Sequence, residues 1–393
     1  MKKVLIRGGI FTQSGYGVHA RQIAKWLLSR PDFNVSVWPT PWGVTTWYID
    51  ANACNGLIGE LMARSIGRIN TPREYDISFQ IQLPNEWDVN LAKFNVGVTA
   101  GIETDICNPA WIEHINKMDV VVVPSTHARD TFLRTSNTIT TPIVVIPESY
   151  ITAIDDALDS SPRASLMRDI GVTTTFNFLL FGQITGGTPE SDRKNTFFAI
   201  KWLCETFGSD PDVGIILKTN MGRSSAIDKQ RTTELMSSLL KEVRKGQYPK
   251  FYLVHGQLSD EDVTSMYTDE TVRAAVSLTR GEGYGLPLVE AAAAGLPVIA
   301  TGWSGHLDFL SRGKFVKLDY DLKTLHASRV DNTLFIKEAK WAEVNEADVK
   351  RKLRKFRSAP AVPQSWADEL SKIIRKEFSF GAVAKKYDEF YNS

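Results

Sequence analysis

Two doubly wound α/β domains, each a parallel sheet with helices on both faces, are the fold this sequence predicts. Three observations carry the prediction. The chain has 393 residues, 43% of them hydrophobic, which is more than one compact core usually accommodates. Short apolar runs recur, each followed by a helical pattern, as parallel strands buried on both faces require. The theme stops once and restarts, so two Rossmann-like domains follow. Ligands of such sheets sit beyond the C-terminal strand edges, and two facing sheets would hold one in the cleft between them.

The first series of strands is VLIRG at 4, VSVW at 35, ISFQI at 77, FNVGVTA at 94 and DVVVVPS at 119. PESYITAIDDALDSSPRASLMRDIGVTTT then lacks a long apolar stretch and is rich in Ser, Pro, Asp and Thr, which makes it the connection. The first domain is therefore expected over 1–165 and the second over 166–364. The second series is FNFLLFG at 176, VGIILKT at 213, FYLVHG at 251, VRAAVSL at 272, LPVIAT at 296 and KFVKL at 314. Residues 337–357 are expected to form a helix, with Val349, Leu353 and Phe356 on one stripe. Pro360 and Pro363 stop it, and a last helix covers about 365–393.

Charge narrows the function. Lys plus Arg number 46 and Asp plus Glu 45, a net +1, which argues against a dedicated nucleic-acid binder and against an acidic tail. Cys54, Cys107 and Cys204 are few, scattered and odd in number, as reduced cytoplasmic thiols are, rather than a disulfide framework or zinc site. The apolar run of MKKVLIRGGIF ends at Arg7 and reads as a buried strand, not a signal peptide. No run approaches the roughly 18 apolar residues of a membrane span, so the chain is expected to be soluble or at most peripheral.

The densest signal is GEGYGLPLVEAAAAGLPVIA at 281–300. Glu282 and Glu290 on one continuous helix would diverge by about 80°. Pro287, however, is comfortable only at a helix start, so the helix is expected to begin there, with Glu290 in its first turn and Glu282 outside it. Both acids can then face the strand-edge cleft, and the free N–H groups of the helix start suit phosphate oxygens. The competing explanation is an acid favouring the helix dipole beside an ordinary glycine turn.

LLFGQITGGTPESDRKNTFFAIKWL at 179 places Arg193 and Lys194 at a loop-to-helix junction, where fixed positive charge can hold an anionic group; solvated surface cations are the alternative. In the first domain, Gly8, Gly9, Gly15 and Gly17 fall between strand and helix without a strict G-x-G-x-x-G or Walker pattern. Ser125 is expected to cap the helix carrying His127. Asp260 and Asp262 follow Ser259 as a capping pattern rather than a metal motif, and no His, Cys or carboxylate cluster has metal spacing, so metal-independent chemistry is expected.

EGYGLPLVEAAAAGLPVIAT resembles the Glu-x7-Glu signature of the retaining glycosyltransferases of the GT-B fold, family 4, the group 1 glycosyltransferases. The resemblance spans nearly the whole chain and is strongest over 177–310. It implies two Rossmann-like domains, with the final helix returning to the first. It also implies that Glu282 lies near the donor sugar, that Glu290 accepts hydrogen bonds from the donor ribose, and that the backbone at Gly285, Leu286 and Leu288 approaches sugar and phosphates. Lys194 matches a lysine in a Lys-Gly or Lys-Asn pair at this helix start. Many members have an arginine where this chain has Gln183; Lys218, with Arg193, is the candidate to supply that charge. The loop bearing Gly15 and Gly17 resembles the family's N-terminal glycine loop, where donor phosphates meet the acceptor side. Glu103, in a stretch similar to a Trp-Glu-Thr-like motif, is the candidate near the acceptor hydroxyl, against a helix N-cap by Thr104 or Asp105. His306 matches a loop lining the donor pocket.

The expected activity is transfer of a hexosyl or pentosyl group from a nucleotide-diphosphate sugar, such as a UDP- or GDP-sugar, with retention and no cofactor. The acceptor stays open among sugars, lipid-linked sugars and other alcohols; modified nucleic acid has no support from charge. Rival readings are a nucleotide-sugar epimerase of the same shape, a non-catalytic sugar-binding relative, and a dehydrogenase, which lacks its glycine fingerprint. The basic run Lys350, Arg351, Lys352, Arg354, Lys355 and Arg357 reads as a solvated helix end matching the macrodipole, or else as a contact for anionic lipid at a membrane surface or for nucleic acid.

Overall fold

The computed structural model describes residues 1–159, 166–184 and 188–392, and the chain divides into two units: Met1–Ser149 with Phe380–Ser393, and Tyr150–Ser379. Unit 1 begins with β1 (Lys2–Gly8), α1 (Gly15–Leu28), β2 (Phe33–Pro39), α2 (Leu57–Ala63) and β3 (Tyr75–Ile81). It continues with β4 (Ala92–Val98), α3 (Trp111–Lys117), β5 (Val120–Val123), α4 (Thr126–Thr135) and β6 (Ile143–Val145). Its sheet has the order β2-β1-β3-β4-β5-β6, parallel throughout. β6 was not expected from the sequence: it has only three residues, none of them fully buried.

Unit 2 opens with α5 (Ala153–Asp159), α6 (Leu166–Asp169), β7 (Phe176–Phe181), α7 (Thr196–Phe207), β8 (Val213–Thr219) and α8 (Ala226–Val243). Next come β9 (Lys250–His255), α9 (Asp260–Thr268), β10 (Val272–Ser277), α10 (Leu286–Ala293), β11 (Val298–Thr301), α11 (Leu307–Leu310) and β12 (Val316–Leu318). β13 (Tyr320–Thr324), β14 (Lys340–Val344), α12 (Glu346–Ser358) and α13 (Ala361–Phe378) complete it, and α14 (Phe380–Asn392) belongs to unit 1. The parallel sheet runs β12-β11-β10-β7-β8-β9. The strand order reverses between β7 and β10, the switch point where such sheets bind ligands.

Each unit has its own core. In unit 1, Val4, Ile6, Val96, Val98 and Val122 pack with Ile23, Trp26 and Leu27 of α1 and Val383 and Tyr387 of α14. Asp388 fastens that last helix, accepting from Trp26 Nε1 at 2.9 Å and Arg30 Nη1 at 2.6 Å. In unit 2, one face of the sheet packs against α9, α10 and α13 and the other against α7 and α12.

Three expectations are corrected. The first division falls at 149/150 rather than 165/166, the latter lying at the edge of the undescribed residues 160–165, because Tyr150 and Ile154 are already in the second core. Residues 340–344 form a strand rather than the start of a 337–357 helix. They pair antiparallel with β13 and bury Trp341, Ala342 and Val344, and Asn345 caps the shorter α12. The terminal helix is two helices parted at Ser379: Leu370, Ile374 and Phe378 of α13 are core residues of unit 2, so only 380–392 returns to unit 1. Pro363 sits in the first turn of α13, where its missing N–H is harmless.

Candidate active site

The C-terminal edge at the β7/β10 switch point carries the chemistry. Gly285, at φ 107°, forms the N-cap of α10, and an added Cβ there would lie 3.1 Å from the His306 Cβ. Only glycine makes this turn freely. The helix begins at Leu286 rather than at Pro287, so Glu290 is its fifth residue and not in the first turn. Glu282 stays in the loop, as the proline suggested. The Leu288 N–H donates to the Gly285 carbonyl at 2.9 Å, so it is already committed and does not face outward.

Two cations converge on Glu282. Lys194 Nζ donates to Oε1 at 2.7 Å and Arg193 Nη1 to Oε2 at 3.2 Å; Arg193 Nη1 also donates to the Gly281 carbonyl at 2.7 Å. Burial would push the Glu282 carboxyl up, but the Lys194 and Arg193 charges outweigh it and hold the group down at about 2. Two cations against one carboxylate leave one positive charge beside a pocket lined by Phe181, Lys194, Glu282, Gly285, Pro287 and Leu288. The Asp192 carboxylate sets the cations' loop, accepting from the Lys194 N–H at 3.2 Å and the Thr196 N–H at 2.7 Å at the start of α7.

His306 stands behind this pocket rather than in its lining. It is fully buried, with Nε2 2.7 Å from the Thr301 carbonyl and Nδ1 3.4 Å from Ser304 Oγ. A carbonyl only accepts, so Nε2 carries the proton and Nδ1 accepts from Ser304. Ser304 Oγ in turn accepts from the Glu282 N–H at 2.9 Å. Burial lowers the His306 pKa, consistent with a neutral ring that supports the backbone of Glu282.

Glu290 faces a different neighbourhood. Burial pushes its carboxyl up to about 8, and its partner is the Tyr267 hydroxyl, donating at 2.8 Å. Tyr267 stacks on Phe181 with ring centroids 5.2 Å apart. Phe181 is in register with Lys218 across β7 and β8, so both project on one face of the sheet. Lys218 is buried, with Nζ 2.5 Å from the Gly256 carbonyl and 3.4 Å from Asn220 Oδ1. Burial lowers its pKa to about 8. Gln183 is exposed.

Tyr267 carries no local signal, because it lies 23 residues from Glu290 in the chain. Arg280 and Glu343 were also missed. Arg280 had one available signal, a charged residue beside Glu282 inside an otherwise small and apolar stretch. Asp260, Glu261 and Asp262 lie in the first turn of α9, capped by Ser259. Among the basic run, Lys350 pairs with Glu205 and Glu346, Lys352 with Asp348 and Asp319, Arg351 with Asp348, and Arg357 with Asp210 and Asp212. These pairs satisfy most of the run within unit 2, which favours the solvated helix end.

In unit 1, Ser14 caps α1 by accepting from the Gly17 N–H at 3.0 Å, while Gly15 is the exposed first residue of the helix. Tyr16 stacks on Trp42 with centroids 3.7 Å apart, and its hydroxyl meets Thr99 Oγ1 at 2.8 Å. Burial raises the Tyr16 pKa, and the Glu103 charge adds to that. Neither Thr104 nor Asp105 caps a helix: Thr104 Oγ1 donates to the Ile106 carbonyl, and α3 starts only at Trp111, after Ala110. Ser125 caps α4 ahead of His127, accepting from the Ala128 N–H.

Residues 237–327 match the family model described as "Glycosyl transferases group 1". No curated protein matches the chain by sequence. Among solved structures, the chain is similar to a glycosyltransferase from Rickettsia africae at 13% identity and a TM-score of 0.67, covering 99% of this chain and 98% of that one. It is also similar to Anabaena HepE in complex with UDP, at 14% identity and 0.65, covering 99% of each chain. Sucrose-phosphate synthase from Thermosynechococcus elongatus follows at 12% identity and 0.64, covering 100% of this chain and 98% of that one. At such identities the structures speak for the fold, while the matched segment spans the loop of Glu282 and the helix of Glu290. Residues 237–327 therefore carry a group 1 glycosyltransferase segment, and the chain as a whole has the fold of the glycosyltransferase structures it is similar to.

Proposed function

We propose that unit 2 binds a nucleotide-diphosphate sugar and that the sugar passes to an acceptor hydroxyl with retention, without a metal ion. The observation that carries this reading is the Lys194 and Arg193 pair on Glu282 beside the switch-point pocket. The pair leaves a net positive charge where a diphosphate must depart. Lys218 adds a third cation, with a backbone carbonyl and an amide oxygen as its hydrogen-bond partners. Uridine is the base we favour, because similarly folded HepE has been crystallised with UDP and with UDP-glucose.

In this reading the bond from the anomeric carbon to the β-phosphate oxygen breaks, and the acceptor oxygen bonds to that carbon on the same face. The acceptor proton goes to the departing diphosphate, whose charge Lys194, Arg193 and Lys218 offset. Glu290 takes the ribose hydroxyls. The acceptor, a sugar, a lipid-linked sugar or another alcohol, is taken up by unit 1, where Glu103 is the candidate to meet its hydroxyl.

The test is a thermal-shift panel of UDP-, GDP- and ADP-sugars with and without EDTA, followed by an acceptor screen read by NMR of the anomeric proton. A ligand at 100 times its Kd adds about 2.7 kcal/mol to stability. A shift with UDP-sugars that survives EDTA, and a product of unchanged anomeric configuration, are expected. Inversion, or transfer only with added metal, would overturn the corresponding part.

A further inference from the structure

We infer that Arg280 and Glu343 form a positioning pair that sets the Arg193–Lys194 cations from behind, so that the β13–β14 hairpin is part of the donor site's machinery. This rests on the nucleotide-diphosphate reading above. The Arg280 side chain is 2% exposed and uses all three of its nitrogens. Nε and Nη2 grip the Glu343 carboxylate at 2.5 and 3.0 Å, while Nη1 donates to the Pro189 and Asp192 carbonyls at 2.8 and 2.6 Å. Its backbone is tied as well: the Arg280 N–H donates to the Arg193 carbonyl at 2.9 Å, and its own carbonyl accepts from the Ala342 N–H at 2.9 Å. The guanidinium lies 5.2 Å from the Trp341 ring.

One side chain therefore joins three pieces. The 189–194 loop carries both cations, the 279–282 loop carries their carboxylate, and β14 supplies Glu343. A planar guanidinium with a two-toothed carboxylate partner has little freedom to turn, and two of its donors end on the carbonyls of residues 189 and 192. The position of the Arg193 and Lys194 side chains follows from that loop's backbone. Loss of the Glu343 charge would leave a buried cation to seek another acceptor, and the loop would follow it.

The experiment measures binding of UDP and of uridine by calorimetry to the parent chain, Glu343→Gln, Lys194→Ala and the double variant. Glu343→Gln is expected to weaken UDP at least fivefold and to leave uridine unchanged. It should weaken UDP by a smaller factor when Lys194 is already alanine, because both changes act through one clamp of which only Arg193 is then left to position. Glu343→Asp, which keeps the charge, should recover most of the UDP affinity. If Glu343→Gln does not fold, Glu343→Asp against the parent carries the test, with a smaller selective loss of UDP expected. Equal losses for UDP and uridine, or a Glu343→Gln effect that adds fully to that of Lys194→Ala, would reduce the pair to a general support of the fold and overturn the inference. A parent chain that does not bind UDP would instead remove the uridine-diphosphate donor reading, and this inference with it.

Discussion

The Tyr267 hydroxyl donates to Glu290 at 2.8 Å, with both side chains buried and no cation paired to that carboxylate among the described residues. Burial holds the folded group up at about 8, against about 4.3 in an unfolded chain. The sign follows directly. A raised folded pKa contributes stability that is complete below the unfolded value and is lost as pH rises through the folded one. Glu290→Gln should therefore flatten the decline in Tm between pH 5 and pH 8 and leave the unliganded variant more stable than the parent at pH 8. Parallel Tm curves would remove the buried neutral acid from the account.

The same substitution should damage binding. Ribose hydroxyls donate to a carboxylate, so uridine affinity is expected to rise between pH 6 and pH 8 in the parent as Glu290 ionises. In Glu290→Gln it should be flat and weaker, by about 1.5–3 kcal/mol for a hydrogen bond to a charged group. Calorimetric titration of uridine at three pH values separates the cases. Unchanged affinity would take Glu290 off the ribose.

Lys194→Ala tests the other acid. Glu282 is held down at about 2 by its cations against burial. A depressed carboxylate contributes stability above its unfolded pKa, lost as pH falls through the folded value, here between about pH 4.3 and pH 2. Removing Lys194 leaves Arg193 as the cation paired with Glu282, so the acid limb of a Tm curve should move to higher pH. Transfer should fall by at least tenfold, since the departing diphosphate loses a fixed charge. Normal turnover would shift the clamp to Arg193 and Lys218.

Much of this was legible in the sequence because it depends on short-range pattern. Unbroken Val and Ile runs located the long strands, and Pro287 separated Glu282 from the helix of Glu290. The combination Ser259 to Asp262 read correctly as a cap. What stayed hidden depends on partners distant in the chain. Lys340–Val344 has a helix-compatible composition and becomes a strand only because Tyr320–Thr324 pairs with it. Arg280 reaches Glu343 across 63 residues, and no local period announces such a bond. His306 was recognised as part of the site region, but only its bonds to Thr301 and Ser304 show that it faces inward.

Asn195 offers a stability test at the edge of the site. It is wholly buried at φ 57°, and both polar atoms of its side chain lack a hydrogen-bond partner among the described residues. An unsatisfied buried polar group costs about 1–3 kcal/mol, and glycine adopts this backbone freely. Asn195→Gly should therefore raise Tm in the unliganded chain, by an amount corresponding to about 1 kcal/mol after the extra chain entropy of glycine is subtracted. If the amide serves a bound nucleotide, the same variant would gain stability and lose UDP affinity, which calorimetry reads separately. A fall in Tm would show that the orphaned amide is not a cost.

Gly15 and Gly17 should part company under substitution, although the sequence groups them in one loop. A Cβ at Gly17 would fall 2.0 Å from the Thr12 carbonyl oxygen and 3.0 Å from Arg21 Nη1. The backbone oxygen cannot yield without breaking the bonds from Arg21 Nη1 to the Ile10 and Thr12 carbonyls, each 2.8 Å. Gly17→Ala should cost unit 1 about 3 kcal/mol, at the upper end of ordinary overpacking, and lower its melting transition. Gly15 is exposed at the first helical position, so Gly15→Ala should be neutral or slightly stabilising through helix propensity. Any loss of transfer activity in Gly15→Ala without a change in Tm would then report contact with a ligand, whereas a loss in Gly17→Ala would not distinguish ligand contact from unfolding.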